Sequence, residues 1–456
     1  MSKRAALTLL LLLCPALRAQ LTLQQAVDLA VAKYPSLQAS LEQVKAAAAQ
    51  VNLARTAYLP RADFLGQVNR STHNNLFGLL EPQPTSVIAS ISGPVLGTNS
   101  LDTVWGSAVG VLVSWEPFDF GLRRANVAAA EATRARAAAD AEVTRLQVAA
   151  ATADAFLTIE AAEQTEKAAA AAVERAQSFE TVIDSLVKSE LRPGAEASRS
   201  RAEVAAARTQ LIQARQAIAV AKAALSQLLG VAPDSITLVP GKLAEAAPPE
   251  PVAATPLEQN PFAAAQHAAV SEEQARQKAL DHAWVPKFAV EGDSYARGTG
   301  IQPSGLTGGA LSGLGPNIQN WSLGVNVTFP AFDLPAIRAK KDAEAHRELA
   351  EEAKYRQTLQ DLNAQVAKAQ AMLDGARQVA ENTPTGVEAA RAAEAQARAR
   401  YQAGLGTITD VADAQRLLTQ TEIDDALARL NIWRALLGVA AARGDLGPFL
   451  KTAGGN

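Results

Sequence analysis

Trp321-Ser322-Leu323-Gly324-Val325-Asn326-Val327-Thr328-Phe329 alternates at every step. Trp321, Leu323, Val325, Val327 and Phe329 fall on one side, and Ser322, Gly324, Asn326 and Thr328 on the other. A period of two marks a strand with one apolar and one polar face. Trp105, Val109, Val111, Val113 and Trp115 share a face in the same way, opposite Gly106, Ala108, Gly110 and Ser114. Each strand has a companion upstream. Phe288 and Val290 oppose Glu291, Asp293 and Arg297, while Ala62, Phe64 and Val68 oppose Arg61, Asp63, Gln67 and Asn69. The pattern predicts four strands, near residues 61–70, 104–115, 287–297 and 320–329. Their connections, 71–103 and 298–320, are rich in Gly, Ser, Asn and Pro and long for hairpin loops.

The two pairs of strands belong to two copies of one unit. Tyr34-Pro35 is echoed by Asn260-Pro261, and Tyr58-Leu59-Pro60 by Trp284-Val285-Pro286 at the same offset. Trp115-Glu116-Pro117-Phe118-Asp119 is echoed by Phe329-Pro330-Ala331-Phe332-Asp333, and Leu228-Leu229-Gly230-Val231-Ala232 by Leu436-Leu437-Gly438-Val439-Ala440. Several matches in one order identify an internal repeat. The offset shortens between the strands, where a surface loop changes length at little cost.

Each copy reads helix, strand, strand, helix. Leu21 to Ala57 is helical, interrupted at Pro35 and ended by Pro60, because proline removes a helix hydrogen bond. After the second strand of each copy comes an alanine-rich helix with Glu, Arg and Gln, long enough to extend about 100 Å. A short turn and a returning helix complete hairpins over residues 122–230 and 335–443. The predicted organisation is a signal peptide (1–19), repeat 1 (20–239), a Pro-rich linker (240–256), repeat 2 (257–443) and a flexible tail (444–456).

Composition narrows the function. The 456 residues are 48% hydrophobic but only 5% aromatic, which favours long helices over a compact aromatic core. A net charge of −3 gives no field for nucleic acid. Lys3 and Arg4, the apolar run Ala5 to Cys14, and Pro15 to Ala19 have the layout of a secretory signal, with cleavage after Ala19. A lipoprotein reading of Cys14, the single cysteine, meets Leu12 and Leu13 where small residues are wanted. Beyond this leader no segment holds about 18 consecutive apolar residues, so insertion into a membrane requires a β-barrel.

Four strands cannot close a barrel, since the smallest outer-membrane barrels need about eight. An open edge in lipid leaves backbone groups unpaired, at several kcal/mol each. Several chains must therefore share one barrel, and three would give twelve strands. The apolar strand faces would meet lipid. Tyr58, Trp115, Phe118, Trp284, Phe329 and Phe332 stand at the strand ends, where an interfacial girdle belongs. A soluble β-sandwich would explain the strands but leave the long helices without a role. Bundled alanine-rich helices could form either a tube or a solid coiled-coil stalk.

Specific motifs resemble a known family. Leu21-Thr22-Leu23-Gln24-Gln25-Ala26-Val27, the Tyr34-Pro35 step, and Trp115-Glu116-Pro117-Phe118-Asp119-Phe120-Gly121-Leu122-Arg123-Arg124 look like the TolC-type outer-membrane efflux proteins. So does Tyr401-Gln402-Ala403-Gly404, followed by Thr407-Ile408-Thr409-Asp410-Val411-Ala412-Asp413-Ala414. The resemblance implies an α+β membrane protein. It would be a homotrimer whose twelve-stranded β-barrel, four strands per chain, continues into a long α-helical barrel in the periplasm of a Gram-negative bacterium. It implies a passive exit duct of a tripartite efflux or type I secretion system, with a periplasmic adaptor (membrane fusion) protein and an inner-membrane pump as partners. Asp410 and Asp413 would form the pore constriction, and Tyr401 and Glu196 the gating network. The tips Leu191-Arg192-Pro193-Gly194 and Gly404-Leu405-Gly406-Thr407 would meet the adaptor. The sequence departs from the family at Gly406, where a described member has arginine, at Glu190, where glycine is usual, and at Leu334-Pro335.

Asp410 and Asp413, three apart, share a helix face, and three protomers would crowd their carboxylates around one axis. Such a ring favours cations and is open to block by a multivalent one. An acidic residue in a first helical turn is equally at home there for helix stability. No enzyme is predicted. His73, His267, His282 and His346 lack zinc-ligand spacing, Gly308 to Gly315 lacks the Lys-Ser/Thr of a P-loop, and no Gly-x-Ser-x-Gly elbow occurs. No cofactor or metal is expected. The alternatives are a periplasmic adaptor, which would have one hairpin and no barrel strands, and a structural coiled-coil stalk.

Overall fold

The computed structural model describes residues 20–72, 101–244, 256–302, 304 and 306–454. The expected signal peptide with Cys14, most of the first strand connection and most of the Pro-rich linker lie outside the described residues.

In chain order, the first copy contains β1 (Gln20–Leu21), α1 (Leu23–Lys33), α2 (Pro35–Thr56), β2 (Arg61–Thr72), β3 (Thr103–Phe118), α3 (Leu122–Lys188), α4 (Gly194–Leu229) and β4 (Thr237–Leu238). The second contains α5 (Pro261–Asp281), β5 (Lys287–Thr299), β6 (Ile318–Thr328), α6 (Leu334–Gln402) and α7 (Ile408–Arg443), followed by α8 (Gly447–Gly454). Local chemistry places the boundaries. Thr22 and Gln25 form a capping box at the start of α1. Tyr34 is extended at ψ 126°, as the residue before a proline prefers, so Pro35 opens a new helix.

The chain forms two compact units that cut across the two repeats. One comprises residues 45–134 and 269–350 and contains a four-stranded antiparallel sheet in the order β2-β3-β5-β6. The two strand pairs of the duplicated sequence thus join at β3–β5, with Val111 opposite Ser294 and Ser107 opposite Gly298. The register aligns one face across all four strands. Phe64 pairs with Val111, Trp115 with Val290, Val290 with Val325, and Ser294 with Trp321. This face is uncovered: Phe64 is 75%, Val325 70% and Trp321 79% exposed. The opposite face carries Asp63, Glu291, Asp293 and Arg297, with Ser322 donating to Asp293 at 2.8 Å. Among the described residues β2 and β6 are edges, each hydrogen-bonded to one strand.

The other unit comprises the described residues of 20–44, 135–268 and 351–454. Its main core gathers Ala26, Val27 and Ala30 of α1, Phe156, Leu157 and Ile159 of α3, Leu225 and Leu229 of α4, and Trp433, Leu436 and Leu437 of α7. β1 and β4 pair in parallel beside it. Two expectations are corrected here. The tail expected to be flexible forms α8: Phe449 is 1% exposed and meets Trp433 edge-on, with ring centroids 6.4 Å apart. Gly444, at φ +83°, ends α7 and turns the chain back, and an apolar octapeptide beside an open core edge then folds onto it. The linker likewise begins with a short 3₁₀ turn (Gly241–Ala244) that buries Leu243 in the same core.

Candidate functional site

The ends of the two long hairpins lie in this second unit, and the structure brings them together. The first turn runs Glu190-Leu191-Arg192-Pro193, with Glu190 at φ +54° and Pro193 as the N-cap of α4. The second turn is made by Gly404 at φ +75°, a left-handed conformation that glycine adopts without strain, and Leu405 N–H bonds back to the Arg400 carbonyl at 2.8 Å. Leu191 and Leu405 both stand exposed on these turns. Gly406 packs near the backbone of Arg400 and Tyr401.

Tyr401 and Glu196, predicted to act together, are in contact. Tyr401 is fully buried and its hydroxyl donates to Glu196 Oε2. Burial first, then the Glu196 carboxylate, push the Tyr401 phenol well above its ordinary value, so it remains a donor. Glu196 lies in the first turn of α4, where the helix dipole favours its charge. Around them Phe179, Ile183, Ala197, Ile408 and Val411 form a small separate core, with the Phe179 and Tyr401 ring centroids 5.4 Å apart. Four helices, α3, α4, α6 and α7, contribute to it.

Arg192, expected only as a tip residue, belongs to this cluster. Its Nη2 donates to the Tyr401 carbonyl at 2.9 Å, and its Cζ lies 4.7 Å from the Tyr401 ring centroid. Its Nη1 is 3.9 Å from Glu196 Oε1. The first turn thus places an arginine on Tyr401 of the second hairpin. The available signal was a cation four residues before Glu196, which places both on one side of the helix start.

Asp410 and Asp413 have other partners. Asp410 and Thr407 form a reciprocal capping box at the start of α7, with Thr407 N–H donating to Oδ2 at 2.8 Å and Asp410 N–H to Thr407 Oγ1 at 3.2 Å. The Thr407 amide, then its hydroxyl, hold the exposed Asp410 carboxyl below the usual range. Asp413 is exposed and 3.3 Å from Arg416, which also reaches Glu203 of α4 at 3.0 Å. Farther along, Arg175 of α3 pairs with Glu422 of α7 at 3.0 Å. Ion pairs therefore continue the contact between the hairpins beyond the small core.

The strand-end aromatics lie in the sheet-containing unit, all at least 43% exposed. Trp115 Nε1 donates to the Tyr58 carbonyl at 3.2 Å, and Trp284, Phe118, Phe329 and Phe332 project from neighbouring strand ends and turns. The conspicuous Trp115-to-Arg124 motif builds this junction. Arg123, 7% exposed, binds Asp119 at 2.9 Å and the Ala57 carbonyl at 3.1 Å, bonds the Glu116 carbonyl, and stacks on Tyr58 at 5.2 Å. Asp119 also accepts from the Gly121 and Arg123 amides, capping α3.

Among the described residues no group of three or more His, Cys, Asp or Glu could hold a metal ion, and no helix is long and apolar enough to cross a membrane. The family described as outer membrane efflux protein matches residues 26–231 and 254–445. Protein CyaE of Bordetella pertussis is 28% identical over 448 residues, 94% of this chain and 85% of that protein. The outer-membrane channel OprN superposes with a TM-score of 0.71 at 20% identity, over 92% of this chain and 89% of that one. The CmeC outer membrane channel of Campylobacter jejuni gives 0.72 at 17% identity, over 92% and 85%. These two likenesses are of fold.

Proposed function

The chain belongs to the outer membrane efflux protein family, and from that premise we propose that it is the passive exit duct of a tripartite efflux or type I secretion system. The family is one of outer-membrane channels, not enzymes, and their helical part lies in the periplasm. The single observation that carries the reading is the sheet. Four strands present one apolar face, and among the described residues both edges are unpaired. In lipid such a sheet must close with copies of itself, and three copies make a twelve-stranded barrel.

The hairpin ends would then form the periplasmic mouth. Tyr401, Glu196 and Arg192 hold the two hairpins of one protomer together, so separating them demands breaking a buried hydrogen bond and a cation–aromatic contact. Opening would need binding energy from a periplasmic adaptor gripping the exposed tips, with an inner-membrane pump supplying the work. Asp410 and Asp413, repeated threefold, would line the constriction and select cations. The exposed strand-end aromatics would sit at the membrane interface.

The test is planar-bilayer conductance of wild type against Asp410→Asn/Asp413→Asn, with and without a multivalent cation. Block confined to wild type is expected. Equal block of both would remove the two aspartates from the constriction. A soluble periplasmic monomer on fractionation, in place of a heat-modifiable outer-membrane trimer, would instead favour the adaptor or stalk reading.

A further inference from the structure

A cluster of carboxylates in the sheet-containing unit has no part in the duct as described above. Glu272 and Glu273 of α5 are 2% and 6% exposed, and the Glu344 side chain of α6 is 16% exposed. Two guanidiniums reach into the cluster. Arg276 binds Glu272 and sits 3.2 Å from Glu273 Oε1. Arg347 binds Glu344 Oε1. From α3 comes Thr133, whose hydroxyl donates to Glu272 Oε1 at 2.8 Å.

Two oxygens are left over. Glu273 Oε2 and Glu344 Oε2 are both inaccessible to water, and among the described residues neither meets a donor. α5 and α6 are in contact, with Asp281 paired to Lys341, and the Glu344 carboxyl acts on the Glu273 carboxyl. An ionised carboxylate only accepts, so two of them cannot bond. Leaving both charged and buried side by side would cost more than protonating one. A metal ion is the wrong bridge, because the remaining oxygens already belong to Arg276 and Arg347.

We propose that Glu273 and Glu344 share a single proton, forming a carboxylic acid–carboxylate bridge that fastens α5 to α6 and makes this helix pair sensitive to alkali. Burial, then the Glu344 carboxyl, raise the Glu273 carboxyl above its ordinary value. A raised folded value means that the proton's stabilisation is complete at pH below the unfolded carboxylate value and is lost as pH rises through the folded one. α5 leads into β5 and α6 leaves β6, so the release would be felt by the helices that carry the second strand pair.

Infrared spectroscopy of the full-length protein in detergent tests this directly. Wild type should keep a protonated-carboxyl carbonyl band at pH above the ordinary carboxylate range, lost as pH rises further and absent from Glu273→Gln. The glutamine amide donates permanently to Glu344, so the fall in Tm that follows rising pH above the ordinary carboxylate range should be smaller in this variant than in wild type. Glu344→Gln, which also supplies a fixed donor, gives a second arm should the first variant fail to fold. Absence of the band from wild type at every pH tested, or a pH slope unchanged in both variants, would overturn the shared proton and leave a bridging water as the better account.

Discussion

The Arg192 guanidinium lies over the Tyr401 ring, 4.7 Å from its centroid, and the same side chain hydrogen-bonds the Tyr401 carbonyl at 2.9 Å. An arginine from one hairpin turn therefore holds the last turn of the opposite hairpin. Arg192→Ala removes both interactions, and about 1–3 kcal/mol of contact between the hairpins should go with them. In bilayers this variant should spend more time open than wild type. Arg192→Lys should rescue only partly, because an ammonium lacks the planar fork. Equal open times for all three proteins would show that this contact does not hold the mouth.

Tyr401→Phe isolates the hydroxyl. The ring still packs on Phe179, but Glu196 loses its buried donor. A cost of about 1–3 kcal/mol is expected in thermal or denaturant unfolding. The phenol's raised value means that its contribution is present at every pH below the ordinary tyrosine range. Conductance governed by this bond should therefore be flat across neutral pH.

Asp410 behaves in the opposite sense. Its folded value is lowered, so the stability it contributes is present above the unfolded carboxylate value and is lost as pH falls through the folded one. Amide-exchange protection in the first turn of α7 should decline on strong acidification. In Thr407→Ala it should already be low at neutral pH. Protection that ignores both changes would show that the capping box does not hold this turn.

The two sheet faces can be told apart by charge. Val325→Arg puts a guanidinium on the apolar face, where near the bilayer midplane it should cost about 2–4 kcal/mol and reduce assembled protein. Asn326→Arg, one residue on, should be tolerated and change conductance instead. The reverse outcome in membrane fractions would exchange the lipid and water faces.

Phe449→Ala should destabilise by about 3–5 kcal/mol, as for a large buried aromatic, although it lies seven residues from the chain end. Calorimetry or proteolysis of the purified protein measures this. An unchanged Tm would return α8 to the status of a loose tail.

Much of this molecule is legible in its sequence because its signals are local and repeated. Alternation at Trp321–Phe329, the breaks at Pro35 and Pro60, and the echo of Tyr58-Leu59-Pro60 in Trp284-Val285-Pro286 depend only on backbone periodicity and on proline's missing N–H. Four amphipathic strands and two long hairpins followed from these signals, and the family resemblance named Tyr401 and Glu196 as network members. Only the tertiary structure decided the rest. That β3 joins β5, that Arg192 crosses to Tyr401, and that Gly447–Gly454 folds into the core are relationships between segments far apart in the chain. No local period encodes them. They arise because buried polar groups must find partners and apolar segments must find a core, and both searches are settled only when the whole chain has packed.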